Sequence, residues 1–105
     1  MRTFPRGLAK FREIVNDRGG KLRQLSYEAL KARAAGPAEH LAVDSRPATI
    51  VTIVQPTGDG RLRVVLQGLM KHRLLPGKSV ALDGFYKHGD GKVTPMSDEE
   101  FDEFD

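Results

Sequence analysis

Gly77-Lys78-Ser79 is the tripeptide with which a phosphate-binding loop ends. Such a loop holds phosphate oxygens on successive backbone N–H groups. It needs a glycine five residues before the one that precedes the lysine, and a helix after it. Here His72 stands where that glycine belongs, and Val80-Ala81-Leu82-Asp83 reads as a strand. The tripeptide is therefore expected to be a turn entering a strand.

The other residues capable of chemistry also fall into structural roles. The three imidazoles, His40, His72 and His88, have no second His or Cys at zinc-ligand spacing, and the chain contains no cysteine. Disulfides, thiol catalysis and thiolate metal sites are excluded together. Ser26 and Ser97 stand where helix caps belong, and Asp59 and Asp90 stand in turns. Asp44 and Asp83 could face each other across a sheet, but no nucleophile–base or paired-carboxylate spacing accompanies them. The expectation is a protein without catalytic residues, bound metal or cofactor.

The basic residues are the better functional lead. Residues 1–33 carry a net charge of +6, residues 34–60 of −2, residues 61–93 of +5 and residues 94–105 of −6. The local field decides which partners are attracted, so this segregation matters more than the total of +3. Lys71-His72-Arg73 and Lys78 cluster before a strand that carries Phe85, Tyr86 and Lys87. Bases beside sheet aromatics are what single-stranded nucleic acid binders use for phosphate contact and base stacking. The candidate nucleic-acid residues are Arg12, Lys21, Arg23, Lys71, His72, Arg73, Lys78, Phe85 and Lys87. The competing reading is a solvated helix face, with one of Phe85 and Tyr86 turned into the core.

At 105 residues the chain suits one domain, with enough surface to bury for one modest core. No apolar run approaches the roughly 20 residues that span a bilayer, and Met1 to Gly7 lacks an apolar signal region. A cytoplasmic protein that does not enter membranes is expected. Residues 1–20 read as a helical arm that could be separable, and residues 21–105 as an α+β core.

The elements that position these residues are legible from period and punctuation. Pro5 to Arg18 has an apolar face of Leu8, Phe11 and Val15, with Ile14 beside it, and Gly19-Gly20 is expected to end this helix and act as a hinge. Ser26 caps a second helix, stapled by Leu25 and Leu30 and stopped by Gly36-Pro37. Strands are expected at about 40–44, 48–55, 61–68, 79–87 and 92–95. The β-branched run Thr49 to Val54 suggests a central strand covered on both faces, and Gly84 suggests a bulge. Met96-Ser97-Asp98-Glu99-Glu100-Phe101 combines a capping box with a staple, so the acidic end is expected to be a short docked helix.

Two Gly-Asp-Gly triplets, at residues 58–60 and 89–91, mark hairpins joining the second strand to the third and the fourth to the fifth. The fold class expected is α+β: two N-terminal helices, a five-stranded antiparallel meander curled into a roll or a small SH3/Sm-like barrel, and a short C-terminal helix. Tyr86-Lys87-His88 and Leu66-Gln67-Gly68 resemble short pieces of the Sm-like RNA chaperones, a likeness of six residues to which no family is attached. The expected core is Leu25, Leu30, Leu41, Val43, Ile50, Val54, Leu62, Val64, Leu66, Val80, Leu82 and Val93. Two functions fit. One is a small nucleic-acid-binding module. The other is a protein-interaction module, an adaptor, inhibitor or homo-oligomer subunit, using the first helix and the acidic end.

Overall fold

The computed structural model describes residues 8–33, 38–43, 46–71 and 78–104, the side chains of residues 78 and 104 excepted. Five antiparallel strands run β1 (Glu39–Val43), β2 (Arg46–Pro56), β3 (Leu62–Lys71), β4 (Lys78–Lys87) and β5 (Val93–Pro95). Their spatial order is their chain order. β1 and β5 do not pair, so the meander is an open sheet and the barrel alternative is set aside.

Both triplets make the hairpins expected of them. Gly60 N–H donates to Thr57 O at 3.4 Å and Gly91 N–H to His88 O at 3.0 Å. In each case the second glycine takes the left-handed conformation, at φ 86° and 93°. A non-glycine residue at either position would be strained. The register that follows places Ile50 opposite Gly68 and Gly68 opposite Ala81. Directly opposed residues share a face, so Ala48, Ile50, Val54, Leu62, Val64, Leu66, Met70, Ala81 and Phe85 form one apolar surface.

Helix α1 (Leu8–Arg23) covers that surface. It buries Leu8, Phe11, Val15, Gly19 and Leu22, a single stripe at spacings of three and four residues. The helix therefore runs through Gly19-Gly20, which neither ends it nor hinges it. Gly19 is needed for close approach, because a Cβ there would lie 1.8 Å from Oδ2 of Asp83. Basic residues in the last turn, Lys21 and Arg23, complement the helix dipole.

Helix α2 (Tyr27–Lys31) is one turn and a half long. The Ser26 hydroxyl accepts from Ala29 N–H at 3.1 Å, as a cap should, and Leu30 anchors the helix as a fully buried side chain. The Gly36-Pro37 stop and the Pro5 start lie outside the described residues.

The opposite face of the sheet is only partly covered. Thr49, Val51 and Ile53 are half-buried there, so β2 is central in the sheet but closed on one side only. Val80 and Leu82 also point to this outer face and are half-buried, and Val93 is exposed; the expected core fails at these three positions. Gly84 is no bulge, since the β3–β4 register runs unbroken through its pairing with Val65. A Cβ at Gly84 would meet Met96 Sδ at 2.6 Å and Phe101 Cε1 at 3.1 Å. The glycine leaves room for the C-terminal segment, α3 (Asp98–Phe101) and a 3₁₀ turn, Asp102–Phe104. α3 carries the complete Ser97/Glu100 capping box.

Candidate binding cleft

One flank of α1 and the inner face of the sheet leave a cleft of about 430 Å³ between them. Arg18, Lys21 and Leu22 line it from the helix and Leu25 from the turn after it. Arg33 lines it from the chain following α2, Glu39 from β1, Ile50 and Thr52 from β2, and Leu66 from β3. The size falls in the range of ligand clefts, roughly 300–1,000 Å³.

The floor is apolar because Ile50, Leu66 and Leu22 belong to the core. The mouth is cationic because Arg18 and Lys21, three residues apart, lie on the flank of α1 that also carries Leu22. Three cations and one carboxylate share the lining. The carboxylate is held: Arg18 donates from Nε and Nη2 to the two Glu39 oxygens at 3.1 and 3.0 Å. This hydrogen bonding lowers the Glu39 pKa and raises that of Arg18. Lys21 lies 3.3 Å from Asp17 one turn back, an exposed pair of little energetic weight. The Arg33 side chain is exposed and forms no ion pair with a described carboxylate.

The described residues among those singled out from the sequence do not assemble into one site. Lys21 lines this cleft. Arg12 lies on the other flank of α1, in a smaller cleft of about 330 Å³ with Asn16, Val80, Ala81 and Leu82. Lys71 ends β3, opposite Lys78 in register, at one end of the sheet's outer face. His72, Arg73 and the Lys78 side chain lie outside the described residues, as does Asp44.

Arg23, Phe85 and Lys87 hold the fold together. Arg23 Nη1 and Nη2 donate to the two Asp83 oxygens at 2.7 and 2.9 Å, and Nη2 also reaches Gly84 O at 3.3 Å. The same guanidinium lies over the Phe85 ring, 4.8 Å from its centroid. Phe85 is wholly buried and cannot stack on a base. Lys87 is 5% exposed, and its Nζ donates to Arg23 O at 3.1 Å, near the helix C-terminus where the dipole favours a cation. Polar side chains facing the core are tolerated only when paired, and α1 supplies these partners.

Arg18, Arg33 and Glu39 were not singled out from the sequence. Arg18 and Leu22 stand at helical spacing on one flank of α1, a signal the sequence carries. Glu39 and Arg33 join them only through tertiary contact. Among the described residues no group of three His, Cys, Asp or Glu side chains could hold a metal ion, and no described helix is long and apolar enough to cross a membrane. His40 is exposed, and a ring nitrogen of His88 lies 2.9 Å from Thr94 Oγ1. No protein-family model, curated protein or solved structure matches the chain.

Proposed function

We propose that this chain is a non-enzymatic protein-interaction module that takes an acidic polypeptide segment with an apolar anchor side chain. The observation that carries this reading is the cleft itself, in which Arg18, Lys21 and Arg33 surround a floor of Leu22, Leu25, Ile50 and Leu66. The floor takes an aliphatic or aromatic side chain, and the cations take the flanking carboxylates. Arginine and lysine at a rim steer an acidic partner and add specificity more than affinity, while the apolar anchor supplies the affinity.

Binding of single-stranded nucleic acid in this cleft is less well supported, because stacking needs an open aromatic face. Phe11 and Phe85 are wholly buried, Tyr27 packs against the core, and Arg61 covers the Tyr86 ring at 4.2 Å from its centroid.

The test is amide chemical-shift mapping with synthetic peptides. An Asp/Glu-rich peptide carrying one central Leu is compared with its Asn/Gln counterpart and with oligothymidylate. The expected result is perturbation at Leu22, Leu25, Ile50, Thr52 and Leu66 by the acidic peptide alone, lost in Arg33→Glu. Perturbation of these residues by the oligonucleotide and not the peptide, or acidic-peptide binding that Arg33→Glu leaves intact, would overturn the reading.

A further inference from the structure

The acidic C-terminal segment lies across a second cationic surface, on the outer face of the sheet and away from the cleft. Arg63 Nη1 is 3.4 Å from Glu103 Oε2. The Tyr86 hydroxyl donates to Glu100, whose other oxygen receives the Ser97 hydroxyl at 3.1 Å. The Arg61 guanidinium stacks on the Tyr86 ring, fixed from the side by Asp59 at 2.8 Å. Met96 and Phe101 seat the segment over Gly84. The segment thus places carboxylates on two groups, an arginine and a tyrosine hydroxyl, that suit a phosphate equally well.

We infer that the segment 96–104 is an autoinhibitory strap, and that the surface beneath it, centred on Arg61, Arg63 and Tyr86, binds single-stranded nucleic acid. The surface has both parts such a ligand needs. The arginine-on-tyrosine stack offers a planar guanidinium for a base, and Arg63, whose Nη2 donates to Gln55 Oε1 at 2.6 Å, turns Nη1 toward the strap as a donor for phosphate. It is also extended. Arg63, Val65, Gln67, Leu69 and Lys71 alternate along β3 on this one face, so Arg63 and Lys71 stand roughly 26 Å apart at the usual strand rise. A polyanion can engage both ends at once. Any ligand of this face competes with a tethered acidic segment whose effective concentration is in the millimolar range. A planar guanidinium for a base beside a phosphate donor, with a further cation at Lys71, favours nucleic acid over acidic protein as the partner of this face. The site goes beyond the cleft and does not depend on it.

The test uses the full chain, Glu100→Gln/Glu103→Gln and a chain ending at Pro95. Fluorescein-labelled oligothymidylate and oligouridylate of roughly 15 nucleotides are the probes. Anisotropy is read at about 50 and 200 mM salt. The double variant keeps Met96 and Phe101 over Gly84, so it reports on charge with the packing intact. It is expected to bind about tenfold tighter than the full chain at low salt, with a steep salt dependence. Adding Arg63→Gln should remove that gain, and adding Arg33→Gln should leave it. Equal gain for both probes assigns single strands in general, and gain for one alone assigns DNA or RNA. No gain for either probe in either strap variant would overturn the inference. So would a gain that Arg33→Gln abolishes and Arg63→Gln spares, because the ligand would then lie in the cleft.

Discussion

Replacing each of the two adjacent glycines of α1 by alanine should have opposite effects. In an ordinary helix interior, Gly→Ala stabilises by about 0.8–1 kcal/mol. At Gly20 nothing lies within 4 Å of the added Cβ, so Gly20→Ala should show close to that gain. At Gly19 the Cβ would stand 1.8 Å from Asp83 Oδ2 and 2.9 Å from Arg23 Nη1. Asp83 must leave, or the helix must lift from the sheet. Breaking a fully buried ion pair costs about 3–5 kcal/mol. The Arg23 side chain is 33% exposed and that of Asp83 15%, so solvent screening reduces this to about 2–3 kcal/mol. Subtracting the propensity gain leaves Gly19→Ala destabilised by about 1–2 kcal/mol, and the two variants about 2–3 kcal/mol apart. For a domain of this size that separates their melting temperatures by about 10–20 °C, followed by circular dichroism at neutral pH. Asp83→Ala supplies the decisive background. With the carboxylate gone, Gly19→Ala should recover the ordinary sign and stabilise by about 1 kcal/mol. A Gly19→Ala protein that melts at or above the parent, or that responds identically with and without Asp83, would refute this account of why the glycine is there.

Two further predictions concern the acidic end and pH, beside the cleft and strap experiments set out above. Ser97→Ala removes the capping box and should cost α3 about 1 kcal/mol, seen as faster amide exchange at residues 99–101 with no change in the β2–β4 amides. Glu39 and Glu100 both have pKa values below the ordinary glutamate value of 4.5, Glu39 chiefly through its hydrogen bond to Arg18 and Glu100 chiefly through its hydrogen bond from Tyr86. A lowered folded-state value means that the stabilisation is complete above 4.5 and is lost as pH falls through the lowered values. Urea midpoints should therefore hold steady from neutral pH down to that point and then drop. Glu39→Gln should flatten part of the drop, and a midpoint that rises on acidification would contradict the assignment.

What the sequence disclosed and what it hid can be traced to the range of the forces involved. The hairpins, the Ser26 cap and the Ser97/Glu100 box are local: each is a side chain or a positive φ acting within five residues. β4 is the opposite case. Its core-facing positions are Ser79, Ala81, Asp83, Phe85 and Lys87, while Val80 and Leu82 face outward. A period-two reading by hydrophobicity chooses the wrong face of such a strand, since it assumes that polar residues seek water. Here Asp83 and Lys87 find instead the guanidinium and the carbonyl of Arg23, sixty residues away, and no local pattern encodes that pairing. The same absent information misplaced the end of α1. Gly19-Gly20 looks like a stop until Asp83 is known to occupy the space where a Cβ would be. It also hid the places of Arg23, Phe85 and Lys87, which have the residue types of a nucleic-acid surface and form the joint between helix and sheet. A base beside an aromatic in sequence carries weight as a binding signal only after its carboxylate partners have been located. By that criterion Arg33 is the cation of the cleft mouth with no described carboxylate partner, since Arg18 pairs with Glu39 and Lys21 with Asp17, and on the outer face Arg61 is held by Asp59 while Arg63 meets Glu103 of the chain's own acidic end.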